Sequence, residues 1–167
     1  MIPKQEFSLR AKTIRKLLEE NRMDGAFLWG DEFYSGYVRY LSDYTPLLEY
    51  SAVLIPVRED PILLAGPECE DLAKSMSKID EIRIASELAI PGEEYPHSKM
   101  ITIERLISEV FGVGKTIRLG VVELDSMPVF LRRAVEKGIG SKGELVDLTR
   151  PMEEMRAIKS ENEIALM

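Results

Sequence analysis

A chain of 167 residues, 45% hydrophobic and 31% charged, has the size and balance of one folded domain with a single core. Its net charge of −7, with lysines and arginines scattered singly or in pairs, lacks the clustered positive charge of a nucleic-acid or anionic-membrane binder. No stretch approaches the roughly 18 apolar residues of a membrane span, the start carries no apolar signal segment, and the single cysteine, Cys69, allows no internal disulfide. A cytoplasmic location, without nucleic acid or membrane as partners, is the default expectation.

Ser8 is placed to cap a first helix in which Ala11, Ile14, Leu17 and Leu18 share a buried face. Arg10, Lys12, Arg15, Lys16, Glu19 and Glu20 take the opposite face in this reading. Ala26-Phe27-Leu28-Trp29 follows as a short strand, apolar at every position and so covered on both sides. The stretch from Asp31 to Glu49 is irregular and aromatic, with Gly36 and Pro46 as breakers. Residues 50–57 and 61–65 read as two strands, and the short link Arg58-Glu59-Asp60 makes them an antiparallel hairpin. A helix over about 68–77 and a strand at 82–85 come next, then a loop with the turn signal Pro91-Gly92.

Ser98 is expected to cap a helix in which Met100, Ile103, Ile107 and Val110 share a face, ending at Phe111-Gly112. A strand over 117–122, a helix with Pro128 in its first turn and Gly138 at its end, and a last strand at 145–148 complete the pattern. Strands alternating with helices around one hairpin predict an α/β fold: three layers, a mixed β-sheet with helices on both faces.

The tail behaves differently. Met152, Met155 and Ile158 recur at helical spacing, and Ser160-Glu161-Asn162-Glu163 spells a capping box that opens a new helix. Only about seven residues of that helix are present, where isolated helices need roughly 12–15. Residues 1–150 are therefore expected to form a domain, and 151–167 a linker with the start of a second domain that is cut short. The expectation is that these 167 residues alone catalyse nothing.

Met155-Arg156-Ala157-Ile158-Lys159-Ser160-Glu161-Asn162-Glu163-Ile164 resembles the Arg-x-x-Lys-Ser-x-x-Glu-Ile junction of the creatinase / prolidase / aminopeptidase P family. Three further segments match in order: Met23-Asp24-Gly25-Ala26-Phe27-Leu28 after the first helix, Tyr40-Leu41-Ser42-Asp43-Tyr44, and the hairpin with Pro56 and Pro61. Asp43 departs from the pattern, standing where a glycine is expected. The resemblance covers essentially the whole chain and implies the creatinase/prolidase N-terminal domain, with a ribonuclease H-like motif. It implies Arg156, Lys159, Ser160 and Glu163 at the domain junction, the C-terminal catalytic domain as partner, and a homodimer.

The family reaction, as the resemblance implies it, uses two divalent metal ions (Mn, Co or Zn) held by two Asp, one His and two Glu of the C-terminal domain, creatinase being the metal-free exception. None of those motifs can be placed on this chain, so no metal, cofactor or catalytic residue is assigned to it. The one place where function reaches this domain is the aromatic segment. Either its tyrosines pack an irregular loop against the sheet or, as the resemblance implies, Ser42 to Glu49 is exposed at a dimer interface, overhanging the partner's active site. Tyr40, Tyr44, Leu47, Leu48 and Glu49 would shape specificity there.

Other constellations are weak. His97 sits in Glu93-Glu94-Tyr95-Pro96-His97, which reads as an exposed loop. Gly112-Val113-Gly114-Lys115-Thr116 lacks the upstream glycine of a phosphate loop and precedes a strand, so it reads as a turn. Cys69 shares helical spacing with Leu72, Ala73 and Met76 and reads as a buried structural thiol. The competing functions are a Xaa-Pro dipeptidase or aminopeptidase, a creatinase-type amidinohydrolase, and a peptidase-like module that only binds proteins.

Overall fold

The structure, a computed structural model, describes residues 2–167. The apolar stripe Phe7, Ala11, Ile14, Leu18 winds into α1 (Lys4–Glu20), which begins after Pro3, four residues before Ser8. Ser8 thus lies inside the helix, its hydroxyl turned back to the Lys4 carbonyl, and caps nothing. Arg10 is a second correction: it belongs to the buried stripe and is only 6% exposed.

Three strands follow the all-apolar pattern and are buried at every position: β1 (Gly25–Gly30), β2 (Ser51–Pro56) and β3 (Ile62–Ala65). Between β1 and β2 the supposedly irregular segment forms a short helix, α2 (Gly36–Ser42). The chain continues with a 3-10 turn (Pro67–Cys69), α3 (Glu70–Met76), β4 (Glu81–Ala85), β5 (Met100–Ile101) and α4 (Ile103–Phe111). It ends with β6 (Arg118–Val121), α5 (Val129–Ile139), β7 (Glu144–Asp147), α6 (Thr149–Ala157) and α7 (Glu161–Ile164).

The cap of α4 is Thr102, whose hydroxyl accepts from the Arg105 N–H at 3.1 Å. Ser98 instead donates to Glu70, which frees Met100 and Ile101 to pair as β5 against β4. Similarly, α5 runs one residue past Gly138 and is closed by Gly140 at φ 73°.

The seven strands form one sheet in the order β5-β4-β3-β2-β1-β6-β7. Only the β1/β2 and β2/β3 pairs are antiparallel; the other four are parallel. Side chains alternate across β1, with Ala26 and Leu28 on one face and Phe27 and Trp29 on the other. Ile14, Leu18, Leu41, Ala73 and Met152 bring α1, α2, α3 and α6 onto the first face. Leu106, Ile107, Leu131 and Val135 bring α4 and α5 onto the second. The three-layer mixed architecture is therefore as the residue pattern implies. Contact across the layers is close: a Cβ on Gly120 of β6 would stand 2.2 Å from Leu148 Cδ1.

One topological detail positions the chemistry. From the end of β1 the chain turns to α2 on the first face, whereas from the end of its parallel neighbour β6 it turns to α5 on the second. Connections that part in opposite directions leave a crevice at the carboxyl ends of the two strands. Among the described residues, no helix is long and apolar enough to cross a membrane.

Candidate functional site

Three places gather polar side chains on this frame. The first is the loop after α2. Asp43 closes that helix at φ 61°, the left-handed region that glycine enters freely, and its carboxylate lies 3.5 Å from Lys78 Nζ. A positive φ at this position accounts for the glycine of the family pattern, and Asp43 tolerates it as a short polar residue.

Beyond Asp43 the loop does not stand out into solvent as the resemblance implies. Tyr44 is fully buried and Glu49 is 4% exposed; only Leu47 and Leu48 project, Leu48 at 77% exposure. Glu49 reaches the start of the 3-10 turn, where its carboxylate oxygens accept from the N–H groups of Glu68 (3.1 Å) and Cys69 (3.2 Å). The Cys69 thiol donates to the Leu47 carbonyl at 2.8 Å. Burial pushes the Tyr44 hydroxyl, the Cys69 thiol and the Glu49 carboxyl all above their usual ranges, although the two N–H donors pull Glu49 partly back. A thiol kept protonated is no nucleophile. Tyr44, Glu49 and Cys69 are thus the internal frame of the loop, and its exposed side chains are Leu47 and Leu48, with Phe33 and Tyr34 also exposed.

The second place is the segment expected to be the junction. The capping box forms as the sequence spells it: Ser160 Oγ accepts from the Glu163 N–H at 3.1 Å, and Glu163 accepts from the Ser160 N–H at 3.0 Å. It is anchored far back in the chain. Glu6 accepts from Ser160 Oγ (2.7 Å) and Asn162 Nδ2 (2.8 Å), while Arg10 pairs with Glu6 and with Glu163 (3.3 Å). Arg10 also donates to the Tyr40 carbonyl at 2.7 Å and lies 4.2 Å from the Tyr40 ring centroid. Burial works to raise the Glu6 pKa, but the hydrogen bonds from Asn162 and Ser160 and the Arg10 charge outweigh it and hold the carboxyl low.

Arg156 stacks on Tyr37 at 4.5 Å and approaches Tyr40 at 5.7 Å; Lys159 folds back onto the Arg156 and Ala157 carbonyls that end α6. Arg156, Ser160 and Glu163 therefore meet one another through Glu6, Arg10 and Tyr40, while Lys159 bonds to the carbonyls at the end of α6. Glu6 and Arg10 escaped the sequence reading, although a charged residue inside an apolar helical stripe, with an acid four residues before it, is the visible signal.

The third place is the crevice, about 650 Å³, lined by Trp29, Asp31, Tyr37, Tyr50, Glu123 and Arg156 among others. None of these except Arg156 was singled out in the sequence, because the crevice exists only once β1 and β6 are neighbours.

His97 is exposed in its loop, and among the described residues no three His, Cys, Asp or Glu side chains come together as a metal-holding group. Gly112 and Gly114 take φ of 88° and 79° in a turn that ends α4. The nearby Lys115 and Lys142 lie at the carboxyl ends of α4 and α5, where a cation offsets the helix dipole and an anion is disfavoured.

The layered sheet, the parted connections and the anchored junction define an α/β domain of one recognisable class. The family model described as Creatinase/Prolidase N-terminal domain matches residues 10–158, and the chain belongs to that family. Among curated proteins none matches it. Among solved structures, the chain is similar to the prolidase from Pyrococcus horikoshii OT3, with 21% identity over 93% of this chain and 37% of that one, at a TM-score of 0.65. It is also similar to an X-Pro aminopeptidase from Thermotoga maritima MSB8, with 18% identity over 93% of this chain and 38% of that one, at 0.68. A domain of a dipeptidase from Streptococcus thermophilus gives 16% identity over 93% of this chain and 100% of that one, at 0.61. At these identities the likeness shows the fold alone, and the chain spans little more than a third of the prolidase and the aminopeptidase.

Proposed function

We propose that the chain is the non-catalytic N-terminal domain of a metal-dependent hydrolase acting on Xaa-Pro peptides, and that it serves to hold a homodimer together and to restrict what reaches the active site. The observation that carries this reading is the anchored junction. Glu6 and Arg10 fix the first turn of α7 against α1, so the chain leaves the domain in one direction and gives a following domain a defined seat. The match to the Creatinase/Prolidase N-terminal domain supports the hydrolase class for that following domain. In this reading the two divalent ions and their ligands belong to it, and no residue of the present chain takes a chemical step. A lone buried thiol with no disulfide partner fits a cytoplasmic setting.

The exposed residues Leu47 and Leu48 are the part of the loop able to meet a partner subunit; Tyr40, Tyr44 and Glu49 act by holding it in shape. The test is Leu47→Asp with Leu48→Asp in the full-length protein. The expected result is a shift from dimer to monomer in light scattering and an altered preference among Xaa-Pro dipeptides. A dimer with unchanged KM and kcat would refute the role of the loop. A full-length protein that binds no metal and hydrolyses neither Xaa-Pro peptides nor creatine would refute the hydrolase reading and leave a protein-binding module.

A further inference from the structure

The crevice at the ends of β1 and β6 shares Arg156 with the junction and Phe33 and Tyr34 with the exposed surface beside the loop, and its volume of about 650 Å³ falls within the range of small-ligand sites. Part of it is aromatic. The Trp29 and Tyr50 rings stand 6.4 Å apart, and Phe130 meets Tyr50 edge-on at 5.2 Å. Charges of both signs enter the same space: Asp31 from the end of β1, Glu123 from the end of β6, and Arg156 from α6.

These charges are not spent on one another. The Arg156 guanidinium rests on the Tyr37 ring rather than on a carboxylate, and Gly36 makes room for it, since a Cβ there would stand 3.2 Å from Arg156 Nη2. Asp31 accepts from the Phe33 and Tyr34 N–H groups through the single oxygen Oδ1. Glu123 holds φ at 56°, a left-handed conformation that is unfavourable for a residue with a Cβ. Its N–H is fixed by donation to Thr149 Oγ1 at 2.7 Å. Backbone strain retained at the rim of a crevice is the kind that binding sites keep.

A partly aromatic crevice whose positive and negative groups do not pair with one another is complementary to a molecule carrying both charges and an apolar body. We propose that this crevice binds a small zwitterion, a free dipeptide with an apolar side chain. Its ammonium group faces Asp31 and Glu123, its carboxylate faces Arg156, and its side chain lies against Trp29 and Tyr50. The proposal rests on the crevice alone and stands whether or not a following domain is a hydrolase.

Trp29 is the only tryptophan in the sequence, so its emission reports directly on the crevice. The probe is L-leucyl-L-alanine, titrated into the chain with fluorescence and calorimetry read in parallel. The expected result is saturable binding at submillimolar to millimolar concentrations. N-acetylation or C-terminal amidation of the dipeptide should each weaken it about tenfold, as the loss of one charge contact predicts. Arg156→Gln and Glu123→Gln should each do the same with the circular dichroism spectrum unchanged. Neither heat nor emission change at millimolar peptide would overturn the proposal, as would blocked peptides that bind as well as the free one. The blocked series uses the unmodified chain, so it decides the question even if a variant fails to fold.

Discussion

Glu49 offers the sharpest test of how the loop after α2 is held. It is a buried carboxylate that accepts from two backbone N–H groups, those of Glu68 and Cys69, and a Cβ on Gly66 would stand 2.2 Å from one of its oxygens. Glu49→Ala leaves both donors without a partner, at about 1–3 kcal/mol each, and relieves the cost of burying the carboxyl. The net expected loss is about 3 kcal/mol. In urea unfolding with a slope of about 2 kcal/mol per molar, the midpoint falls by about 1.5 M with the slope unchanged. Glu49→Gln keeps one acceptor and loses about half as much.

The pH dependence carries a sign that can also be checked. Burial raises the folded-state pKa of Glu49 above its ordinary value, so its contribution is complete at acid pH and is lost as pH rises through the raised pKa. The stability gap between the wild type and Glu49→Gln therefore narrows as pH increases. A loss under about 0.5 kcal/mol for Glu49→Ala, the size of an ordinary surface change, would refute this account of the loop.

Two other perturbations probe the core and the junction. Gly120→Ala places a methyl group 2.2 Å from Leu148 Cδ1, and should destabilise by about 1–3 kcal/mol, read as a lower Tm; an unchanged Tm would contradict the close approach. Glu6→Ala should cost about 1–3 kcal/mol of stability, read as a lower urea midpoint, and quicken amide exchange at Glu163 and Ile164, because it takes a partner from the buried Arg10 as well as freeing the start of α7. The Glu6 carboxyl is held low, so its stabilising share is present above the unfolded pKa and is lost as pH falls through the folded one; Glu6→Gln should flatten that acid limb.

The layers and the sheet were legible because their signals are local. The fully apolar runs of β1, β2 and β3 and the stripe of α1 follow from residues a few positions apart. The capping box at Ser160 was equally plain. What escaped detection depends on distant partners. The segment Gly36–Ser42 carries a glycine and three bulky or β-branched residues within seven, a poor helix by propensity, and it is held by packing on α1 and β1. Ser98 is no worse a cap than Thr102 in isolation; its contact with Glu70 and the pairing of β5 decide between them. The choice between a packed and an exposed loop from Ser42 to Glu49 depends on distant partners in the same way, with Tyr44 and Glu49 packed and Leu47 and Leu48 exposed. A glutamate near aromatic residues reads as exposed until the N–H groups of residues 68 and 69 are seen to face it.

The contact between Glu6 and the 160–163 turn joins residues more than 150 positions apart. During synthesis α1 emerges first, yet Arg10, lodged in its apolar stripe, waits for Glu163 to be made. At ribosomal rates of about 5–20 residues per second that is an interval of roughly ten seconds or more. Over that time the first helix carries an incompletely matched charge pair on the face it must bury. The earliest element of the fold is thus the last to be finished, and nascent chains halted short of the junction should hold α1 more loosely than the completed domain does.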